Sequence, residues 1–581
     1  MVNSGLKHFF IWLYVVLGAA VVFSLLCISF SLDISLLALP LSLVFSAVMV
    51  YYAFTLKKRG SIRAIPVLRK MTQYLPYVML ASFVLRRAGK YGTYYWYDVV
   101  TVVLWCIVFA GSLAVSYYMN EKRISSLNEA WSAPSERKQK KLRGAAWFAF
   151  EAVDWIDALV QAVFMVLLIQ IFIVQLYVIP SESMVPQFLI RDRVIVFKTA
   201  SGPKFPLSDV GFPSMRDYSR GDIVVFRNPH YSMDRKSEVK TVTSQLVYML
   251  TFMAVNLNKE ADGKPKADPL VKRITGVPGE QLVMQDGTLY VKTKDSGDFK
   301  PVEKDSEFAA WNLNSLDSGT KGGIKEFVLS QADYDTMIAC EKERREFDLA
   351  KAQEESLDLA KRFGGLVTGK PGVMSSEGLS MYEYDLFVNY DAFTQKLMSA
   401  DGGAGWFNLF MTDWVKSKPA DGVYAGGDIY SDANYRLNCM IKLCLGKIIV
   451  RNAELIRLGV TTENRRKDAQ IYSYMKEAEK LNFYVMILDQ RNMPVFPKNA
   501  DNGSARFIPE NCYFMMGDNR FNSADMRHAY VQTITPLTKL DAYSVTYESN
   551  MAQQYVNKKY ILGTTVFRFW PVTRIGVLGK K

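Results

Sequence analysis

Ile179-Pro180-Ser181-Glu182-Ser183-Met184-Val185-Pro186 begins where a long apolar run ends. Residues 1–178 carry several continuous apolar stretches, whereas 181–581 reads as mixed, largely soluble sequence. The octapeptide therefore joins a multi-span α-helical membrane anchor to a second, differently built part. A serine just beyond a membrane span is positioned to act on something emerging from that membrane. It becomes a nucleophile only with a base to take its proton, and the chain has three histidines in 581 residues. A lysine must be considered. Lys272, in Val271-Lys272-Arg273-Ile274-Thr275-Gly276-Val277-Pro278-Gly279, is the candidate.

Upstream of the octapeptide, residues 9–30, 35–56, 97–119 and about 158–178 each approach the ~20 apolar residues that cross a bilayer core. The first run is followed almost at once by another span, so it reads as an anchor and not as a removable signal peptide. A weaker run, 72–85, is short and contains Pro76. The loop 57–70 holds six basic residues and no acid, and 122–143 holds seven basic residues. Both clusters belong on the cytoplasmic side, which requires 72–85 to cross as well. Five spans then place residue 181 outside, against the dissent of Arg86, Arg87 and Lys90. Trp147 and Trp155 suit the membrane interface.

Downstream, the pattern turns to strands. Arg193–Phe197 and Asp222–Phe226 are short β-branched and aromatic runs bounded by turn residues. Gln281–Met284 and Leu289–Val291 flank Asp286-Gly287, which supplies the positive φ of a hairpin turn. Residues 513–516 and 565–569 are further strands. Between about 305 and 480, Glu/Lys/Ala/Leu-rich stretches at 331–363 and 430–481 predict a largely helical insertion. The chain divides into a membrane domain (1–178), a mainly β domain in two parts (179–304 and 481–581) and the insertion (305–480). Residues 243–256 are too short to span and read as a buried helix or a membrane-surface one.

The net charge of +13 is concentrated in the loops beside the apolar runs and serves topology, with no nucleic-acid motif beside it. Gly364–Lys370 mimics a phosphate-binding loop. Pro371 stands where Ser/Thr should bind magnesium, and a helix-like segment precedes it, so no nucleotide is expected. The six cysteines show no Cys-x-x-Cys spacing; neither a zinc site nor a disulfide framework is indicated. No cofactor or metal is called for.

A free lysine, with pKa near ~10.4, is charged and cannot act as a base. Burial lowers that value. Val271 and Ile274 supply apolar surroundings, and strand alternation sends Arg273 to the opposite face. A third stretch, Met516 to Arg527 (Met-Gly-Asp-Asn-Arg-Phe-Asn-Ser-Ala-Asp-Met-Arg), can supply a hydroxyl to orient the amine and an Asp/Arg pair to brace the site.

Five motifs in order closely resemble bacterial type I signal peptidases, the Ser/Lys endopeptidases of peptidase family S26. They are Pro-Ser-x-Ser-Met-x-Pro at 180–186, Arg-Gly-Asp-Ile-Val-Val-Phe at 220–226, Lys-Arg-x-x-Gly-x-Pro-Gly at 272–279, Gly-Asp-Asn-Arg-x-Asn-Ser-x-Asp-x-Arg at 517–527, and Phe-Arg-Phe-Trp-Pro-Val-Thr-Arg-Ile-Gly at 567–576. The resemblance implies a signal-peptidase-like β fold and a serine endopeptidase of the bacterial cytoplasmic membrane, its catalytic domain on the periplasmic face. It would remove N-terminal signal peptides from exported preproteins after small residues, through an acyl-enzyme. It implies Ser183 as nucleophile, Lys272 as general base, Ser181 with the Ser183 N–H as oxyanion donors, and Ser523 as the group that orients Lys272. Asp525 and Arg527 would hold the loop, and Ile179, Met184 and Val271 would line the substrate pockets. Its partners would be preproteins and the lipid bilayer, with no nucleic acid or nucleotide.

Glu182 stands where many members of that family have Gly, and Arg191 and Phe521 replace a frequent Gly and Asp. The Glu182 side chain is expected to point away from the site. Competing readings are a Ser183–His528–Asp525 triad, a catalytically inactive scaffold of the export machinery, and a self-cleaving regulator.

Overall fold

The computed structural model describes residues 4–27, 35–88, 94–128, 144–231, 234–251, 255–259, 263, 266–326, 329–375 and 385–578. Most of the basic loop 122–143, and Lys90, lie outside them. The chain forms two compact units. One is Met1–Leu176, Ile195–Asp217 and Tyr231–Asp268; the other is Tyr177–Val194, Tyr218–His230 and Pro269–Lys581.

The first unit is helical: α1 (Ser4–Leu26), α2 (Ser35–Arg59), α3 (Ala64–Ala88), α4 (Tyr95–Tyr118), α5 (Ala145–Phe172) and α6 (Arg235–Leu250). Among the described residues, four helical stretches are long and apolar enough to cross a membrane: Ser4–Leu26, Leu41–Arg59, Tyr95–Tyr118 and Trp147–Phe172. The run 72–85 lies inside α3, whose Arg69, Lys70, Arg86 and Arg87 keep it out of that set. Helix α3 packs between α2 and α4, burying Leu75, Met79 and Phe83, while Ile11, Val44 and Val103 on its neighbours face outward. Apolar residues turned outward are the arrangement that lipid tolerates and water does not.

Two sequence expectations shift here. The last span was expected over about 158–178, but its helix begins at Ala145, ends at Phe172, and gives way to strand β1 (Val174–Val178). Val174, Leu176 and Val178 alternate with Gln175 and Tyr177, a pattern that suits an extended chain. Residues 195–217 and 231–268, expected in the β part, belong with the helices. Phe205 and Val210 sit in the helical core, and 235–250 is helix α6.

In the second unit, β3 (Ile223–Phe226), β4 (Leu270–Gly276), β9 (Cys512–Met516), β12 (Val556–Asn557) and β13 (Ile561–Trp570) build one antiparallel sheet in the order β13-β3-β4-β9-β12. Strand β2 is Arg193–Phe197, and β14 (Gly576–Val577) pairs with β13. A smaller sheet runs β7 (Lys300–Pro301), β6 (Thr288–Thr293), β5 (Glu280–Gln285), β8 (Met493–Phe496). Its tight turn has Asp286 at φ 53° and Gly287 at φ 76°, the doubly left-handed backbone that an Asp-Gly pair favours. Strands β10 (His528–Pro536) and β11 (Thr546–Met551) form a separate ribbon.

Between β7 and β8 the chain is helical. The main elements are α7 (Gln331–Arg345), α8 (Leu349–Gly364), α9 (Tyr390–Ser399), α10 (Gly403–Thr412), α11 (Ile429–Arg457) and α12 (Ala469–Met486). Asp428 caps α11 by accepting from the N–H groups of Tyr430 and Ser431, both at 3.0 Å; such a cap contributes about 1 kcal/mol. Helix α11 is buried on nearly every side, around Leu445, Ile448, Ile449, Trp406 and Phe410. The same core takes in Leu537, Val545 and Tyr547 from the β10–β11 ribbon and, at its margin, Phe521. The phosphate-loop mimic follows α8, and a Cβ on Gly369 would strike the Ala400 carbonyl at 2.2 Å.

Candidate active site

Antiparallel pairing places Lys272 opposite Val224 and Arg273 opposite both Ile223 and Met516. Lys272 is thus held in the middle of a sheet, 3 % exposed. Its Nζ lies 2.5 Å from Ser183 Oγ, which is its one hydrogen-bond partner among the described residues. Burial pushes the Lys272 amine down to about 8; Asp525 and Asp518 oppose that shift, and Arg527 assists it. Arg273 takes the other face, as alternation requires, but it is buried too. It grips Asp518 with two bonds of 2.7 and 2.6 Å, donates to the Gly221 carbonyl at 2.8 Å, and lies 3.9 Å from the Phe308 ring centre.

Ser183 belongs to the turn after Pro180. Its N–H has no hydrogen-bond partner among the described residues, and Ser181 Oγ stands 3.3 Å from Ser183 Oγ. One free N–H and one mobile hydroxyl beside a nucleophile are the donors that a developing oxyanion needs. Asn519 holds this turn from behind: its N–H donates to the Ser183 carbonyl at 3.1 Å, and its Nδ2 to the Glu182 carbonyl at 3.2 Å. Gly517 lets the loop come this close, because a Cβ there would meet Ser523 Oγ at 2.2 Å and the Ser183 carbonyl at 2.4 Å.

Asp525 and Arg527 pair through 2.9 and 3.0 Å bonds, both side chains fully enclosed. Asp525 also accepts from the Gly517 N–H at 2.9 Å. Burial alone would raise its carboxyl, but Arg527 and that N–H hold it well below the usual carboxylate range. Ser523 Oγ is buried at Gly517 but has no hydrogen-bond partner among the described residues, so the expected bond to Lys272 is not formed in this state. Ile179 and Met184 are buried and Val271 is half-buried.

His528 gives no support to a triad. Its ring nitrogens are taken by the Ser523 and Asp489 carbonyls at 3.3 and 3.2 Å, and burial followed by the Arg527 charge pushes its pKa down.

The departures have local causes. Arg191 stands at φ 71°, a backbone that costs a non-glycine residue on the order of 1 kcal/mol, which is why glycine suits the position. Glu182 is fully buried. As expected, its carboxylate turns away from Ser183, and it accepts from the N–H groups of Lys325 and, at 3.0 Å, Glu326. Phe521 stands edge-on to Trp311 with ring centres 5.3 Å apart. Arg520 forms a buried pair with Asp305 at 2.7 and 2.8 Å. Sequence reading missed the Glu182, Asn519 and Asp305 contacts. They join residues between 143 and 337 positions apart, which no local pattern in the sequence signals.

A family model described as signal peptidase, peptidase S26, matches residues 152–357 and 447–570, more than half of the chain. The chain belongs to this family. Among its relatives are the signal peptidases I of Buchnera aphidicola subsp. Schizaphis graminum (38 % identical over 134 residues, 23 % of this chain and 40 % of the relative) and Haemophilus influenzae (25 % over 189, 31 % and 52 %). A third is that of Bacillus licheniformis (27 % over 141, 24 % and 50 %). The chain spans about half the length of the relatives it matches. The matched residues include Ser183, Lys272 and the 517–527 loop, whereas the apolar helices before residue 152 lie outside them. The unmatched interval, 358–446, falls within the helical segment between β7 and β8.

Proposed function

We propose that this chain is a membrane-anchored serine endopeptidase that cleaves signal peptides from exported preproteins, using Ser183 and Lys272. The observation that carries the reading is the 2.5 Å contact between a buried lysine and a serine hydroxyl. Neutral Lys272 takes the Ser183 proton as Oγ attacks the scissile carbonyl, and the resulting oxyanion is held by the Ser183 N–H and the Ser181 hydroxyl. The lysine then gives that proton to the leaving amine, leaving an acyl-enzyme. Water, deprotonated by the same lysine, releases the new C-terminus and restores Ser183.

Asp525 and Arg527 brace the loop, and a rotation of the Ser523 hydroxyl toward Lys272 would orient the amine in the substrate-bound state. Ile179, Met184 and Val271 would line the pockets beside the scissile bond and admit only small side chains, giving an Ala-x-Ala-like preference. On this reading the catalytic residues would work at the outer face of a bacterial inner membrane, where signal peptides emerge; the apolar helices and the basic loop 57–70 support it.

The test is incubation of wild-type, Ser183→Ala and Lys272→Ala protein with a signal-peptide-bearing precursor, followed by sequencing of the product's N-terminus. Wild type is expected to expose a residue following a small one, and both variants to leave the precursor intact. Cleavage surviving in Lys272→Ala would sink the mechanism. A wild type that cleaves nothing, with a cellular role that survives Ser183→Ala, would favour the inactive scaffold.

A further inference from the structure

The helical unit contains a cavity of about 420 Å³, lined among others by Leu80 and Val84 of α3, Phe164 and Leu167 of α5, and Val242 and Leu246 of α6. That volume suits a small-molecule site, and the lining is overwhelmingly apolar. Its polar lining is Lys198, Lys204, Gln170, Gln175 and Gln245, and among the described residues no acidic side chain lines it. Lys204 is already paired with Asp209 at 2.9 Å. Among the described residues Lys198 is paired with no carboxylate: its Nζ donates to the Gln170 carbonyl at 3.1 Å and to Gln175 Oε1 at 3.2 Å, two neutral acceptors. An ammonium has three protons, so one is left for a guest. Burial pushes the Lys198 amine down to about 8, the cost of a cation enclosed without an anion.

The depth of the site matters as much as its charge. The apolar stretch of α5 ends at Phe172, and Lys198 binds its last turn, with Thr199 Oγ1 donating to the Phe172 carbonyl at 3.1 Å. The apolar stretch of α3 ends at the same cavity, followed by Arg86 and Arg87. A cation at the end of an apolar helix long enough to cross a bilayer lies where headgroups are expected to begin, with the apolar residues of that helix toward the hydrocarbon.

We propose that this cavity binds an anionic phospholipid of the surrounding bilayer, its acyl chain among Leu80, Val84, Phe164, Leu167 and Leu246 and its phosphate on Lys198. The apolar segment of a signal peptide is the weaker occupant, because the positive charge that precedes such segments would meet two lysines. The site rests on the membrane anchoring of α5 and is independent of the Ser183–Lys272 chemistry.

The full chain, purified in neutral detergent, would be presented with short-chain phosphatidylglycerol, short-chain phosphatidylcholine and glycerol phosphate, and the retained molecules weighed by native mass spectrometry. Wild type is expected to retain phosphatidylglycerol, with retention about fivefold weaker in Lys198→Gln and also lost in Ala81→Trp, which fills the cavity and keeps the lysine. Equal retention of phosphatidylcholine, undiminished retention in both variants, or displacement by glycerol phosphate alone would each overturn the proposal. The last outcome would assign the site to a free phosphate ester.

Discussion

Among the described residues of the second unit two lysines are buried, and they have opposite surroundings. Lys442, in the middle of α11, lies 2.5 Å from Asp541, with both side chains fully enclosed and Asn438 donating to the same carboxylate at 2.8 Å. Lys272, in β4, touches a serine hydroxyl and no carboxylate, because Asp518 is committed to Arg273 and Asp525 to Arg527. Burial pushes both amines down; at Lys442 the directly bonded Asp541 pushes back, whereas at Lys272 the opposing carboxylates act only from a distance. A buried lysine with its own anion is a structural cation. A buried lysine whose anions are occupied by arginines is free to give up its proton.

The comparison breaks first on activity. Lys272→Ala should lower precursor cleavage by at least ~10⁴-fold, as loss of one member of a nucleophile–base unit does, while Lys442→Ala, if folded, should cleave at close to the wild-type rate. Stability should separate the two the other way. Lys442→Leu leaves Asp541 charged and unpaired in the core, and denaturant unfolding should show a loss of about 3–5 kcal/mol.

Lys272→Leu should gain stability. An amine that titrates near ~10.4 when unfolded and at about 8 when folded is held at a cost that approaches 3 kcal/mol at pH 7. The sign follows from proton counting. Between those two values the unfolded chain binds more protons, so wild-type stability rises with pH across that window, and the rise should vanish in Lys272→Leu. A destabilised Lys272→Leu would mean that the lysine is held by interactions stronger than its bond to Ser183.

Ser181→Ala should reduce kcat by ~10²–10³ with little change in KM if its hydroxyl serves the oxyanion. A change confined to KM would assign Ser181 to substrate binding. The smallest effect belongs to Glu182→Gln, which keeps the shape but weakens the anchoring of the Lys325 and Glu326 N–H groups by about 1–2 kcal/mol. Hydrogen exchange at those two amides should quicken, with cleavage reduced only a few-fold.

Much of this site was legible because its chemistry is local. Ser181 and Ser183 share one turn, and Lys272 and Arg273 alternate along one strand. Asp525 and Arg527 are two residues apart, and the Asp286-Gly287 hairpin is written in its own dipeptide. What pairs across the chain was not legible. The Val224–Lys272 register, the Asn519 grip on the Ser183 turn and the Glu182 contact with 325–326 depend on which strands and loops meet. Lys442 was hidden for a different reason: inside a stretch expected only to be helical, nothing nearby in sequence announces Asp541. The end of the last span was misplaced because Val174–Val178 is as apolar as the helix before it, and only alternation separates the two.

The most direct test of the central claim is the pH dependence of kcat/KM for precursor cleavage in wild type and in His528→Gln. If neutral Lys272 is the base, the rate should rise with pH through a single group near 8 and the limb should be the same in both proteins. A limb at the ordinary histidine value, lost in His528→Gln, would contradict the account.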